Sequence, residues 1–179
     1  MDKHSRRTAL TVGLAIATGA FALVAGGAPS YAQRATTKDQ LIGSWRVLSL
    51  KATTGDKVSY PLGEQVAGYV TVTADRFWLL FVDSTRKAPA AATLTDAEAV
   101  AMMKTSVAWT GKYSAAEQTP EGIKVTARVD AASSQAIFGT DRVYFMRVNG
   151  NKLTVKSPGV IVPMTGATSI VEFELAKAD

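Results

Sequence analysis

Short runs in which apolar and polar residues alternate follow one another along the chain from residue 44 onwards. Successive side chains of a β-strand point to opposite faces of its sheet, so such runs are typical of strands with one buried face. Turn residues separate the runs, and the Asn149-Gly150 pair is a strong hairpin signal. The pattern predicts an all-β sandwich or barrel. Its eight strands are expected at residues 44–50, 68–73, 77–82, 109–114, 123–130, 142–148, 152–157 and 169–175.

One short helix is expected between the third and fourth of these strands. Thr95 and Glu98 fit the S/T-x-x-E capping box, in which each side chain accepts a hydrogen bond from the other residue's backbone N–H. The residues that follow predict a helix over 96–104, with Val100 and Met103 on its apolar side. Such a helix would either cover one mouth of a barrel as a lid or merely cap the sheet, and both interpretations are open.

The alternation also predicts which side chains face the interior, because a half-buried strand hides its apolar face. The strand at 77–82 is apolar on both faces, so its inward face stays undecided. In the other strands the charged residues are assigned to the outer face, among them Arg128 and Arg142.

The predicted inner face is apolar, with two tyrosines and the indole nitrogens as its polar groups, and comprises Trp45, Val47, Val70, Val72, Trp109, Gly111, Tyr113, Val125, Ala127, Val129, Tyr144, Met146, Val148, Leu153, Val155, Val171, Phe173 and Leu175.

The residue types that are missing exclude much of enzyme chemistry. The chain has no cysteine, and its one histidine is His4, close to the N-terminus. A domain with neither residue excludes Ser-His-Asp and Cys-His catalysis, ordinary zinc sites and His- or Cys-ligated haem. Calcium held by carboxylates stays open, but the chain shows no dense Asp/Asn loop of the kind that such cations prefer. We predict no catalytic residue, no metal ligand and no cofactor. The formal net charge of +5 is spread along the chain without a basic cluster, so a nucleic-acid partner is not predicted.

The N-terminal residues contain the three parts of an export signal in order. A polar start holds Ser5-Arg6-Arg7, an apolar stretch follows over 9–28, and Ser30-Tyr31-Ala32 forms a small-residue cleavage site. The paired arginines are typical of the twin-arginine route. This pattern predicts a signal peptide at 1–32, a flexible segment at 33–40, one domain at 41–177 and a periplasmic or secreted location. After cleavage, no stable membrane insertion is expected. The alternative is that the stretch stays uncleaved as a transmembrane anchor, because its length approaches the roughly 20 residues that span a bilayer.

Several short motifs resemble, in order, those of a known family. They are Gly43-Ser44-Trp45, then Tyr60-Pro61-Leu62-Gly63 followed by Gly68, then Trp109-Thr110-Gly111-Lys112-Tyr113, then Gly139-Thr140 and the turn Asn149-Gly150-Asn151. This set resembles the short bacterial and fungal lipocalin-like family over nearly the whole predicted domain. The resemblance implies an antiparallel up-and-down lipocalin-like β-barrel of about eight strands with one short helix. Trp45, a large ring at the entry of the first strand, is then expected to close the floor of the barrel.

An eight-stranded closed sheet is just wide enough to fill itself with side chains or to hold one small ligand. The leading hypothesis is therefore an exported barrel that binds a small hydrophobic or aromatic molecule in its interior. The alternatives are a cofactor-independent isomerase or cyclase, an activity that the resemblance implies for a few members, and a packed domain that acts through its surface. For the aromatic residues and methionines, filling an ordinary core remains open. The candidate ligand-binding residues are Trp78, Met103, Trp109, Tyr113, Arg128, Tyr144, Met146 and Phe173. Alternation places Arg128 on the outer face, but it lies near the position where the resembled family carries a histidine pair, and the alternative is an inward Arg128 that pairs with an acidic ligand.

Overall fold

The structure is a computed structural model that describes residues 38–89, 91–162 and 165–178. Within these residues the chain forms nine strands, one α-helix and a short 3-10 helix at Asp39–Leu41. The predicted signal peptide at 1–32, and the predicted flexible segment as far as residue 37, lie outside the described residues. The elements are β1 (Gly43–Thr54), β2 (Lys57–Ser59), β3 (Val66–Val72), β4 (Arg76–Asp83), α1 (Asp96–Lys104), β5 (Ser106–Thr119), β6 (Gly122–Ala132), β7 (Asp141–Asn149), β8 (Lys152–Ile161) and β9 (Thr168–Lys177).

Eight of the strands close into one barrel. From β3 to β9 each strand pairs antiparallel with the next, and β1 pairs with both β3 and β9, which closes the sheet. The predicted up-and-down barrel with one short helix is therefore confirmed. The additional strand, β2, pairs only with the end of β1. The sequence does not predict β2, because three residues are too few to establish an alternating pattern, and all three are exposed.

Helix α1 has the predicted bounds and the predicted capping box. The Thr95 hydroxyl accepts a hydrogen bond from Glu98 N at 3.3 Å, and the Glu98 carboxylate accepts one from Thr95 N at 2.9 Å. The helix nevertheless packs loosely against β5: none of its residues is buried, and Val100 and Met103 are 51% and 54% exposed. The side that was expected to be apolar and covered therefore faces solvent.

One end of the barrel is closed by its own side chains. Here the chain reverses in short turns, such as Gly150-Asn151 between β7 and β8. Trp45 is buried, its indole N–H donates to the Leu41 carbonyl at 2.9 Å, and the Lys177 ammonium lies 4.4 Å from the centre of the ring. Trp45 thus lies at the floor of the barrel, where the resemblance places it.

Longer connections lie at the opposite end of the barrel. Because the strands run antiparallel, this end receives the segments at 60–65 between β2 and β3 and at 133–140 between β6 and β7. It also receives the described residues 162 and 165–167 between β8 and β9. Helix α1 belongs to the same end, since it connects β4 to β5. The barrel therefore has one end sealed by tight turns and one end framed by loops, which we call the open end.

The structure settles which face of β4 points inward. Phe77, Leu79 and Phe81 are buried, whereas Trp78 points outward and is 40% exposed. Residues that pair directly across two strands share a face of the sheet, and Leu79 pairs with the inward-facing Trp109. The choice of face, which the residues of β4 alone leave undecided, is thus set by the pairing with β5.

A cluster of aromatic rings fills the middle of the barrel. The ring of Phe77 stacks on Trp109 with 4.9 Å between centres and on Tyr144 with 5.9 Å. Phe173 lies 5.9 Å from Tyr144, and Phe81 packs edge-on against Phe173 at 5.2 Å. Offset and edge-to-face contacts of this kind are the arrangements that aromatic pairs prefer. Because the cluster occupies the centre, space for a ligand has to lie toward the open end.

A β-bulge in β1 reverses its inward and outward positions. Trp45 and Val47 face the interior, but the register on β9 shifts between Val47 and Ser49, and beyond the shift Leu50 and Ala52 are the buried residues. A bulge inserts one extra residue, so every later side chain changes face. Alternation counted from Trp45 places Leu50 on the outer face, and the structure places it inside.

Candidate ligand-binding site

A cavity of about 70 Å³ lies among the connections at the open end of the barrel. Its inner wall is formed by side chains of the barrel strands, chiefly Leu50, Leu79, Phe81 and Val171. Its outer wall is formed by residues of the loops and of the end of β8, namely Pro61, Ile137, Val160, Ile161 and Val162. All nine of these side chains are apolar, so the cavity is a largely apolar recess at the open end of the barrel.

The side of the aromatic cluster that faces the open end of the barrel forms the floor of the cavity. Trp109, Tyr144 and Phe173 all line the cavity as well as packing against other rings of the cluster. Their rings are held by stacking, with Trp109 and Tyr144 nearly parallel at 6.0 Å. A ligand in the cavity would therefore meet a preformed aromatic surface.

The hydroxyl of Tyr144 is a polar group at this floor. Tyr144 is only 7% exposed, and its hydroxyl makes no hydrogen bond to any described residue. No polar side-chain atom of the described residues is both fully buried and unpaired, so this oxygen reaches the open space of the cavity. Burial raises the pKa of Tyr144 to about 12, while the positive charge of Arg142 opposes the rise. The hydroxyl is thus protonated at neutral pH and can donate a hydrogen bond into the cavity.

Arg142 also lines the cavity, and the prediction that it lies on the outer face is wrong. It precedes Tyr144 by two residues on β7, and side chains two apart on a strand share a face. Its guanidinium is half-buried and forms no ion pair or hydrogen bond with any described residue. Its chain neighbour Asp141 points to the outer face, where Arg128 pairs with it at 3.3 Å.

Ser157 supplies a third polar group. It is buried, and its hydroxyl oxygen accepts a hydrogen bond from the backbone N–H of Val171 at 2.9 Å. This bond occupies an acceptor site and leaves the hydroxyl proton available as a donor. The pairing of β8 with β9 is irregular between Lys156 and Gly159, which includes Pro158, a residue without a backbone N–H. The serine thus replaces part of the regular ladder next to the cavity.

Five of the eight predicted ligand-binding residues face the interior of the barrel. Trp109, Tyr144 and Phe173 line the cavity. Tyr113 lies toward the closed end, where its hydroxyl donates to a backbone carbonyl of the β3–β4 turn at 2.8 Å. Met146 is fully buried in the core and does not line the cavity. The structure therefore brings only three of the predicted residues together at one place.

The other three predicted residues lie away from the interior. Trp78 faces outward because its neighbours on β4 take the inner positions. Arg128 is on the outer face of β6, paired with Asp141. Met103 lies on the exposed side of α1, beside a surface groove that runs toward Ser133 and Ser134. None of the three lines the cavity.

Twelve of the fifteen described residues that line the cavity are absent from the predicted set, and Arg142, Ser157 and Leu50 are the most informative of them. The sequence could have placed Arg142 and Ser157 on the inner face. Arg142 lies two residues from the inward-facing Tyr144 on β7, and Ser157 lies two residues from the inward-facing Val155 on β8. Leu50 carried none, because the bulge in β1 is not visible in the alternation. The missed residues include two of the three polar groups of the cavity.

Comparison with protein-family models matches residues 42–176 to the lipocalin-like domain. The chain belongs to the lipocalin-like domain family. The match begins one residue before β1 and ends within β9, so it covers the whole barrel. Searches of curated proteins and of solved structures each found no match.

The cavity is small for a ligand-binding site. Its volume of about 70 Å³ exceeds the roughly 10–15 Å³ that one water molecule needs. It is well below the roughly 300–1,000 Å³ typical of sites for drug-sized ligands. A ligand of this lipocalin-like domain would therefore be small, or would enter with only one part.

The polar groups that line the cavity of this lipocalin-like domain are hydrogen-bond donors. Among the described residues no carboxylate lines it, and Tyr144 stays protonated near neutral pH. The isomerase or cyclase alternative thus finds no general base in the described lining. The described part of the chain contains no group of three or more His, Cys, Asp or Glu residues arranged to hold a metal ion. It also contains no helix long and apolar enough to cross a membrane.

Proposed function

We propose that this lipocalin-like domain binds a small hydrophobic or aromatic molecule in the cavity at the open end of its barrel. The observation that carries the proposal is the cavity itself, whose wall is almost entirely apolar and which reaches solvent beside Ile161, a residue that is 62% exposed. Moving an apolar molecule from water into such a recess is favourable, because apolar surface is removed from water.

The aromatic floor supports an aromatic ligand in particular. A ring that enters the cavity would meet Trp109, Tyr144 and Phe173, whose own rings are already fixed by stacking. An additional aromatic contact contributes about 0.5–1.5 kcal/mol beyond the burial of area. Because the floor is preformed, little side-chain ordering opposes binding.

Trp109 provides a reporter for the test. The variant Trp78→Phe removes the exposed indole and leaves Trp45 at the floor of the barrel and Trp109 at the cavity. Titration of this variant with neutral aromatic probes, toluene and 2-naphthamide, should give a saturable change in tryptophan fluorescence. Isothermal titration calorimetry on the unaltered protein should return the same affinity. Absence of binding by both methods would sink the proposal and favour a packed domain that acts through its surface.

A pair of neighbouring substitutions on β9 tests where the probe binds. Val171→Phe places a ring in the cavity, whereas Ile170→Phe enlarges the adjacent side chain on the exposed outer face. We expect Val171→Phe to weaken binding of 2-naphthamide at least tenfold, which corresponds to about 1.4 kcal/mol. Ile170→Phe should leave the affinity unchanged, and thermal melts should show that both variants fold. Equal affinities in the two variants would mean that the probe binds elsewhere.

We also propose that the chain is exported by the twin-arginine route and cleaved after Ala32. The paired Arg6 and Arg7, the apolar stretch and the small-residue site support this. The first described element begins at Asp39, so cleavage after Ala32 removes no described helix or strand. The described barrel would then function outside the cytoplasm.

Replacement of Arg6 and Arg7 together by lysine should stop export, since the pair is the recognised part of the signal. Cell fractionation with immunoblotting should find the variant as a cytoplasmic precursor, and N-terminal sequencing of the exported form should begin at Gln33. Lys3→Gln, which also removes a positive charge from the same region, should be exported normally. Export of the double variant would contradict the twin-arginine route, and an intact N-terminus in the membrane fraction would favour the anchor alternative.

A further inference from the structure

The guanidinium of Arg142 is a cation at the edge of an apolar cavity, without a counter-ion in the described part of the chain. It is half-buried, lines the cavity, and pairs with no described acidic residue. Taking a charge out of water is costly unless it is paired, so a lone cation in such a wall needs either water at the mouth or an anion. The apolar side chains of the described wall, such as Val160 and Val162, offer no hydrogen-bond acceptor.

The two arginines on neighbouring strands differ in this respect. Arg128 of β6 is on the outer face and has Asp141 as its partner at 3.3 Å. Asp141 is also the chain neighbour of Arg142, but its carboxylate is turned to the opposite face of β7. Directly across the pairing of β6 with β7, Arg142 faces Ala127, whose methyl group leaves room beside the guanidinium. The fold thus pairs Arg128 with an acidic residue, whereas Arg142 has no acidic partner among the described residues.

Two hydroxyl donors share the cavity with this cation. The hydroxyl of Tyr144 is more than nine-tenths buried with its residue and has no partner among the described residues. The Ser157 hydroxyl accepts from Val171 N and keeps its proton for a further acceptor. All three polar side chains of the described lining can therefore donate, and a guest that satisfies them has to be an acceptor.

We infer that the ligand of this cavity carries one carboxylate, which Arg142 binds through its guanidinium and which receives hydrogen bonds from the hydroxyls of Tyr144 and Ser157. The inference rests on the proposed function and deepens it, because it names the ligand class: a small aromatic monocarboxylate whose ring occupies the apolar recess. A guanidinium and a carboxylate match in plane and spacing, so one arginine can hold both oxygens. One cation balances one negative charge, which fits a monocarboxylate better than a phosphate dianion.

Matched acid and amide probes test the inference. Benzoate and 2-naphthoate differ from benzamide and 2-naphthamide in charge while keeping nearly the same shape. Hydrogen bonds to a charged group are stronger than neutral ones. We expect calorimetry at neutral pH to show that the unaltered protein binds each acid about 10- to 100-fold more tightly than its amide.

Substitutions at the two arginines identify the group responsible. Arg142→Gln should reduce the acid-to-amide preference to about one, because the acid loses much more affinity than the amide, while Arg142→Lys should restore part of the preference. Arg128→Gln is the matched control, since it removes the same charge from the outer face and should leave the preference intact.

The possible outcomes separate the inference from the proposed function. If acid and amide bind equally well, or if Arg142→Gln and Arg128→Gln lower the preference alike, the carboxylate inference is overturned while ligand binding in the cavity stands. If neither acid nor amide binds, both the inference and the proposed function fail. A preference that disappears only in Arg142→Gln supports the inference.

Discussion

Phe77→Ala should destabilise the barrel by about 3–5 kcal/mol. Phe77 is fully buried at the centre of the aromatic cluster, and its ring contacts both Trp109 and Tyr144. Its removal forfeits the burial of a large side chain and leaves a void that close-packed neighbours fill only in part. Since folded domains are stable by only about 5–15 kcal/mol, the loss is a large share of the total. Chemical denaturation monitored by circular dichroism measures it.

The adjacent residue gives the matched control for this substitution. Trp78→Ala removes a larger side chain, but one that faces outward, and should cost about 1 kcal/mol or less. Equal losses for the two variants would contradict the assignment of inner and outer faces on β4. A second readout follows from the void, which adjoins the rings that form the floor of the cavity. Benzene should raise the denaturation midpoint of Phe77→Ala, because an apolar void binds apolar molecules. It should raise the denaturation midpoint of the unaltered protein by less.

The alternation of apolar and polar side chains predicts the inner face of most strands. It fails where the pairing between neighbouring strands determines which side chains face inward. Trp45, Val70, Tyr113 and Leu153 all face inward as predicted, since each lies in a regular stretch of strand. Leu50 could not be predicted, because a bulge in β1 adds one residue that has no signature in the sequence. The inward face of β4 could not be predicted from its own residues, which are apolar on both sides.

The candidate site was harder to predict than the fold, and the two arginines show why. Both Arg128 and Arg142 were assigned to the outer face, and alternation supports this only for Arg128, whose neighbours Ala127 and Val129 face inward. Arg142 shares its parity with the inward-facing Tyr144. The sequence contains that parity, so the correct placement of Arg142 was available. The position of the cavity was not, because it depends on how Pro61, Ile137 and Val162, which belong to three separate connections, meet at one end of the barrel.

The packing of the interior bears directly on selectivity. A barrel whose centre is filled by stacked rings offers a ligand only the recess above them, and the polar groups at that recess all donate. Shape would then limit the part of a ligand that enters the recess to about one ring, while Arg142, Tyr144 and Ser157 would select for an acceptor. Selectivity in this lipocalin-like domain would thus arise from a few side chains of β7 and β8 at the open end.

Gly68→Ala should have an effect as large as that of Phe77→Ala, for a backbone reason. Gly68 lies in β3 with φ of +141°, a conformation that other residues rarely adopt, and a Cβ there would lie 1.9 Å from the carbonyl oxygen of Leu80. Strain at such a φ costs about 1–3 kcal/mol, and forcing β3 away from β4 adds a similar amount. We expect a loss of about 3–5 kcal/mol and a melting point lower by about 10 °C or more.

The substitution Gly55→Ala separates the two causes of this loss. Gly55 also has a positive φ, of +57°, but a Cβ at this position meets no atom within 4 Å. It should therefore cost only the strain of a left-handed residue, about 1–2 kcal/mol. The excess in Gly68→Ala then measures the close approach of β3 to β4, which pairs Gly68 with Phe81 of the cavity wall. If the two variants melt at the same temperature, the contact with Leu80 does not constrain the barrel, and Gly68 is required for its backbone conformation alone.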